Sequence, residues 1–265
     1  MEKRQTSGPG PRPRVPNPRG ANRPAGSPVT GAARRSSFLR RLGRFVAFCV
    51  AGFLILSVLL VALYRYLPPP ATPLMLLRWA EGYGLARSWR PLDHISPALV
   101  RAVMAGEDQK FCRHHGFDWE AIGDAWEQCQ SGDGRLLGAS TISMQTAKNV
   151  FLWPSRDWLR KALEAYFTSL IELAWSKPRI IEIYLNVVEW APGIYGAEAA
   201  AGHYFRKTAS RLTVAEAARL AAVLPDPLDR SASRPGGEVR DRAAFILRQL
   251  PNLPASQPLP CGEPF

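Results

Sequence analysis

Residues 107–118 read Glu107-Asp108-Gln109-Lys110-Phe111-Cys112-Arg113-His114-His115-Gly116-Phe117-Asp118. Two adjacent acids close a predicted apolar helix, and by composition alone such a pair is a solvated helix terminus. The helix before them opens at Ser96-Pro97, a capping residue with proline in the first turn, and runs to about Ala105. Asp118 is placed to cap the next helix, over residues 119–128. Further out, residues 156–175 carry Leu159, Leu163, Tyr166, Phe167, Leu170 and Leu173 at helical spacing. Ser176 and Pro178 open a helix holding Ile180, Ile181, Tyr184 and Leu185. Residues 196–205 are alanine-rich, Thr213 and Glu216 form a capping box, and residues 239–250 read as a last helix. Strand-like alternation is scarce. The predicted class is mostly α, with at most a very small sheet.

Two more polar stretches stand out. Residues 138–149 read Gly138-Ala139-Ser140-Thr141-Ile142-Ser143-Met144-Gln145-Thr146-Ala147-Lys148-Asn149. Hydroxyls, an amide and a lysine suit sugar hydroxyls and phosphate oxygens, but a capped helix with a polar face has the same composition. Residues 160–164 read Arg160-Lys161-Ala162-Leu163-Glu164. Glu164 lies one turn after Arg160, the spacing of an ordinary surface ion pair.

Taken in order, these stretches resemble the peptidoglycan glycosyltransferases of family 51, specifically the monofunctional biosynthetic transglycosylases. Glu-Asp-x-x-Phe-x-x-His-x-Gly-x-Asp is matched at 107–118, Gly-x-Ser-Thr-Ile-x-x-Gln-x-x-Lys-Asn at 138–149, and Arg-Lys-x-x-Glu at 160–164. Lys177 with Glu182-Ile183-Tyr184-Leu185-Asn186, and the run Gly193-Ile194-Tyr195-Gly196-Ala197-Glu198-Ala199-Ala200, add two more blocks in the same order. The resemblance covers roughly residues 75–230. One departure is Met144, where many members carry a glutamine; it offers no amide.

The resemblance implies a lysozyme-like, mostly helical domain with a small membrane-apposed lobe. The implied donor is a growing glycan on polyprenyl pyrophosphate, and the acceptor is lipid II. The acceptor 4-hydroxyl attacks the donor's anomeric carbon with inversion. A sugar hydroxyl is a weak nucleophile and needs a base, which the resemblance assigns to Glu107. The pyrophosphate leaving group needs fixed positive charge, and Lys148, Arg156 and Lys161 match the family's basic positions. Glu164 matches the second cleft carboxylate, organising that cluster. Ser140, Thr141, Gln145 and Asn149 are candidates for sugar and phosphate contacts. Asp108, Phe111, His114, Gly116 and Arg160 read as structural residues near the site, and Glu182 and Tyr184 as buttresses. Trp153, Trp158 and Leu159 are candidates for the membrane interface. No cofactor is required and no protein-held metal is predicted; a divalent cation such as Mg²⁺ assists some members. Cross-linking would fall to penicillin-binding transpeptidases working with divisome or elongation proteins.

Residues 45–64 run twenty positions without a charge, enough to span about 30 Å as a helix. Arg40, Arg41 and Arg44 precede the run, which places the N-terminus in the cytoplasm and the catalytic domain outside the inner membrane. The net charge is +12, and residues 1–44 hold eleven Lys/Arg against Glu2 alone. The basic excess therefore belongs to a Pro-, Gly- and Ser-rich tail, read as disordered, and nucleic acid is not an expected partner. The expected organisation is a tail over 1–44, a transmembrane helix over 45–64, a proline-stiffened linker over 65–75, a glycosyltransferase domain over 76–250, and a Pro-rich tail over 251–265.

Cys112, Cys129 and Cys261 face an oxidising compartment in that topology. Cys112 with Cys129 is one possible disulfide; the sequence leaves the pairing open. The spacing near His114 and His115 matches no zinc pattern. Two rival readings remain. A lytic enzyme of the lysozyme-like class would use two carboxylates but has no need for a pyrophosphate site. A membrane-tethered scaffold would be indifferent to Glu107. The Ser-x-x-Lys and Lys-Thr-Gly motifs of a transpeptidase are absent from the chain.

Overall fold

The computed structural model describes Gly10 and residues 31–131, 140–155, 157–253 and 261. In chain order the helices are α1 Gly31–Tyr64, α2 Pro73–Ala80, α3 Pro97–Glu107, α4 Trp119–Ser131, α5 Ile142–Phe151, α6 Trp158–Ala174, α7 Lys177–Val187, α8 Ala197–Phe205, α9 Val214–Val223 and α10 Gly237–Gln249. Short strands β1 Ala86–Arg87, β2 Glu189–Ala191 and β3 Ile194–Tyr195 make one small sheet of order β1-β3-β2. β1 runs parallel to β3, and β2 antiparallel to it. Gly193 turns the chain between β2 and β3 at φ +70°, and a Cβ there would lie 2.2 Å from the Tyr83 carbonyl oxygen. Only glycine combines that dihedral with so close a backbone approach.

The chain forms two compact units, residues 1–52 and 53–265. In the first, the described backbone from Gly31 is already helical, whereas the basic tail was expected to stay disordered to residue 44. Ala32, Ala33 and the Arg/Leu-rich residues that follow are good helix formers, and they extend a helix whose nucleus the apolar run provides. Leu39–Tyr64 is long and apolar enough to cross a membrane, with a mean hydropathy of 2.9.

In the second unit, the last turns of α1 pack on the helical body. The Ser57 hydroxyl shares a hydrogen bond with Tyr166 at 2.6 Å, and Trp175 donates its indole N–H to the Val61 carbonyl at 2.8 Å. Arg179 donates to the carbonyls of Tyr64 and Leu67, satisfying acceptors that the helix end leaves free. The linker expected over 65–75 is shorter. Thr72 accepts from the Met75 N–H, Pro73 begins α2, and Met75 is fully buried.

Local signals set most helix ends. Asp157 and Ser176 cap α6 and α7, Asp118 accepts from Ala121 N–H, and Thr213 and Glu216 form the capping box of α9. Ser96 precedes α3, but its hydroxyl donates to the Leu212 carbonyl instead of capping. The buried alanines 217, 218, 221 and 222 let α9 pack closely against α3 and α10. α7 is almost wholly buried and packs on α5. The tail expected to be loose after residue 250 begins instead as a 3-10 turn over Leu250–Asn252 with Leu253 buried, and further on Cys261 pairs with Cys112, so the alternative partner Cys129 is not the one used. The pairing spans 149 positions of sequence, which local spacing does not reveal. The remainder of that tail (254–260 and 262–265) lies outside the described residues.

Candidate active site

Glu107 is the last residue of α3, and its side chain is 11% exposed. Gln145, from the middle of α5, donates its amide N–H to one carboxylate oxygen at 2.9 Å. Arg242, from α10, donates to the other oxygen at 2.9 Å and also to the Gly106 carbonyl. Tyr184 donates its hydroxyl to the Gln145 amide oxygen at 3.1 Å, which turns the amide NH₂ toward Glu107. Burial first, and the Glu107 charge second, push the Tyr184 phenol well above its ordinary pKa, so it remains a donor. The carboxylate opens on a cavity of about 280 Å³ lined by Glu107, Gln109, Lys110, Asp118, Ser140 and Thr141, among others.

Asp108 fixes the turn after the helix. Its carboxylate accepts from the Ile142 N–H at 2.9 Å and from His114 Nε2 at 3.0 Å. His114 Nδ1 accepts from the Gly116 N–H, so the proton of the neutral ring lies on Nε2. Gly116 has φ +93°, and a Cβ there would sit 2.9 Å from Thr168 Cγ2. Phe111 is fully buried beneath the Lys177 ammonium, which lies 4.6 Å from the ring centroid. The Thr141 hydroxyl accepts from Met144 N–H and donates to the Gly116 carbonyl at 2.7 Å. It lines the cavity, but its proton is committed to the turn and not to a sugar. Met144 is buried, and the amide reaching the base is that of Gln145. Glu182 receives Arg179 and the Leu92 N–H, holding the scaffold away from the base.

A second cavity, of about 450 Å³, is lined by Leu74, Lys148, Asn149, Leu152, Trp153, Pro154, Ser155 and Arg160. Lys148 lies one turn beyond Gln145 on α5, so one helix both holds Glu107 and lines the second cavity. On α6, Glu164 is buried and receives both Arg160 and Lys161. Arg160 is thus more than a surface partner: it is buried, while Lys161 stays 43% exposed. Burial chiefly lowers the Lys148 pKa; Glu164 and Glu107 oppose that shift, and Arg160 and Lys161 add to it. Lys148, Arg160 and Lys161 around the Glu164 carboxylate give this cluster an excess of positive charge that an anionic group could meet. Arg156 lies outside the described residues.

Both Glu164 oxygens accept from cationic side chains. Among the described residues no group of three or more His, Cys, Asp or Glu side chains is placed to hold a metal. Trp153, Trp158 and Leu159, at the rim and on the first turn of α6, are all exposed. Arg242 is the site residue that sequence reading missed. Its helix was legible, but nothing in its local pattern marks one arginine among several as facing Glu107.

A helical domain with a doubly held carboxylate at one cavity and a cation cluster at the next defines a candidate group-transfer enzyme for an anionic leaving group. Comparison supplies the family: the chain belongs to the transglycosylase family, which it matches over residues 76–251. It is 54% identical over 215 residues to a biosynthetic peptidoglycan transglycosylase of Rhodospirillum centenum, covering 81% of this chain and 93% of that protein. It is 54% identical over 212 residues to a protein of the same description from Caulobacter vibrioides, covering 79% and 91%. A third, from Pseudomonas aeruginosa, is 50% identical over 220 residues, covering 81% and 93%.

Proposed function

We infer that this chain is a peptidoglycan glycosyltransferase of cell-wall biosynthesis, and we propose that Glu107 is its base. The observation that carries the reading is one helix, α5: its N-cap Thr141 lines the carboxylate cavity, its Gln145 holds Glu107, and its Lys148 and Asn149 line the cation cavity. In the proposed reaction lipid II is the acceptor, and its sugar 4-hydroxyl enters the Glu107 cavity. Glu107 takes the hydroxyl proton as the oxygen attacks the anomeric carbon of the donor glycan. The anomeric bond to pyrophosphate breaks on the opposite face, giving inversion. Negative charge then grows on the leaving group, where Lys148, Lys161, Arg160 and, at its sequence position, Arg156 stabilise it. Glu164 acts by holding Arg160 and Lys161 in place. Ser140 and Asn149, each lining a cavity, are candidate sugar and phosphate contacts.

The apolar helix Leu39–Tyr64 anchors the enzyme. The proposed topology puts the N-terminus in the cytoplasm and the catalytic domain on the outer face of the inner membrane. Exposed Trp153, Trp158 and Leu159 beside the cation cavity suit a lipid-linked substrate whose head enters while its tail stays in the bilayer. Penicillin-binding transpeptidases are the proposed partners for cross-linking, and a divalent cation, where used, would travel on the pyrophosphate oxygens.

Polymerisation of labelled lipid II by wild type and by Glu107→Gln, each with and without a chelator, tests the reading. Wild type should yield long glycan and free polyprenyl pyrophosphate, and the variant should be slower by about 10²–10⁴. Near-normal glycan from Glu107→Gln would overturn the role of Glu107. Cleavage of preformed glycan with lipid II left untouched would overturn the reaction.

A further inference from the structure

The Cys112–Cys261 disulfide has no part in the chemistry above, yet it ends in the turn that follows Glu107. That turn is compact: Phe111 N–H donates to the Asp108 carbonyl, and Arg113 N–H to that of Lys110. It supplies Asp108, Lys110 and Asp118 to the wall of the Glu107 cavity. Asp108 and the buried Phe111 tie its inner side to α5 and α7. Cys112 follows Phe111 on the outer side, and the disulfide is the covalent tie there. The C-terminal segment also meets α3 and its end at two other places: Arg101 donates to the Leu250 carbonyl, and Arg242 holds Glu107. The cross-link joins positions 149 apart, so it restrains the long-range docking of this segment and is not a local staple.

Two features make the bond reducible. Both cysteines are half-buried and not sealed in the core. Arg113 follows Cys112 directly, and nearby positive charge favours a thiolate there. A dithiol attacking Cys261 Sγ would form a mixed disulfide and expel Cys112 as the better leaving group. The dithiol's second sulfur then closes its own disulfide and frees Cys261. Two electrons and two protons pass to the protein, and the reductant is oxidised.

We propose that Cys112–Cys261 is a reducible pin on the acceptor wall of the cleft. Oxidised, it holds the turn that bears Lys110 in register with Glu107; reduced, it lets that wall loosen and slows transfer. The proposal rests on the reading of the Glu107 cavity as the acceptor site.

The test uses the full-length protein, produced in an oxidising compartment and extracted in detergent. After alkylation without reductant, peptide mapping should recover a Cys112–Cys261 pair and an alkylated Cys129. Lipid II polymerisation is then measured for wild type before reduction, after dithiothreitol, and after reoxidation, beside Cys261→Ser and Cys129→Ser. Reduction and Cys261→Ser should each lower kcat about tenfold and raise KM, a loosening of the cleft wall smaller than the roughly 1 Å misplacement that can cost about 10²-fold. The thermal midpoint of each should stay above the assay temperature. Reoxidation should restore wild type, dithiothreitol should not slow Cys261→Ser further, and Cys129→Ser should behave as wild type. The pin is refuted if Cys112 and Cys261 both alkylate in never-reduced protein, if Cys112 maps to Cys129, or if reduced enzyme keeps kcat within about twofold. Glu107→Gln in the same assay reads the base separately: full activity there undermines the acceptor-site reading while the reductant arms still report on the pin.

Discussion

Removing Arg242 is the perturbation that best separates positioning from packing. Arg242→Ala deletes the donor to one Glu107 oxygen and to the Gly106 carbonyl, and leaves the Gln145 bond in place. A hydrogen bond to a charged group contributes about 1.5–3 kcal/mol. The Arg242 side chain is 32% exposed, and water screens part of that interaction, so the lower end applies. At about 1.4 kcal/mol per tenfold in rate, kcat on lipid II should fall about tenfold. The decisive assay is a double-mutant cycle on single-turnover rates with Glu107→Gln. If Arg242 acts through Glu107, its removal from the Glu107→Gln enzyme should change the residual rate by less than about twofold. An undiminished tenfold loss in that background would refute the reasoning and point to a direct contact between Arg242 and substrate.

Two further outcomes follow from geometry and charge. Burial depresses the Lys148 pKa, so its cationic form is lost at lower pH than for an ordinary lysine. Polymerisation should therefore show an alkaline limb that moves to higher pH in Lys148→Arg, because arginine stays protonated; coincident limbs in the pH profiles would contradict this. Gly116→Ala forces a side chain into φ +93° against Thr168 and Glu172. It should cost about 2 kcal/mol and lower the melting temperature by roughly 4–8 °C in calorimetry, and an unchanged Tm would show that the turn relaxes freely.

Much of the chain was legible without coordinates. Ser176, the Thr213–Glu216 box and Asp118 mark helix starts because a capping side chain satisfies N–H groups two or three residues away. The apolar run before Tyr64 marks a membrane-length helix because span length is a matter of rise per residue. The helical extension back to Gly31 was not legible, since composition alone made that basic stretch look like solvated tail. The Glu164 pairing with Arg160 was readable as spacing, but its burial was not.

The amino-acid sequence by itself determined the helical class, the membrane-length segment, the ordered motifs and the candidacy of Glu107, Lys148 and Glu164. Those features lie within a few residues of their causes, or in motif order along the chain. Tertiary structure alone decided that Arg242 meets Glu107 across 135 positions, that Cys112 pairs with Cys261 and not Cys129, and that α5 both holds Glu107 and lines the second cavity. Contacts at such separations depend on which helix faces pack together. That is settled by burial summed over the whole domain, and no local window of sequence contains it.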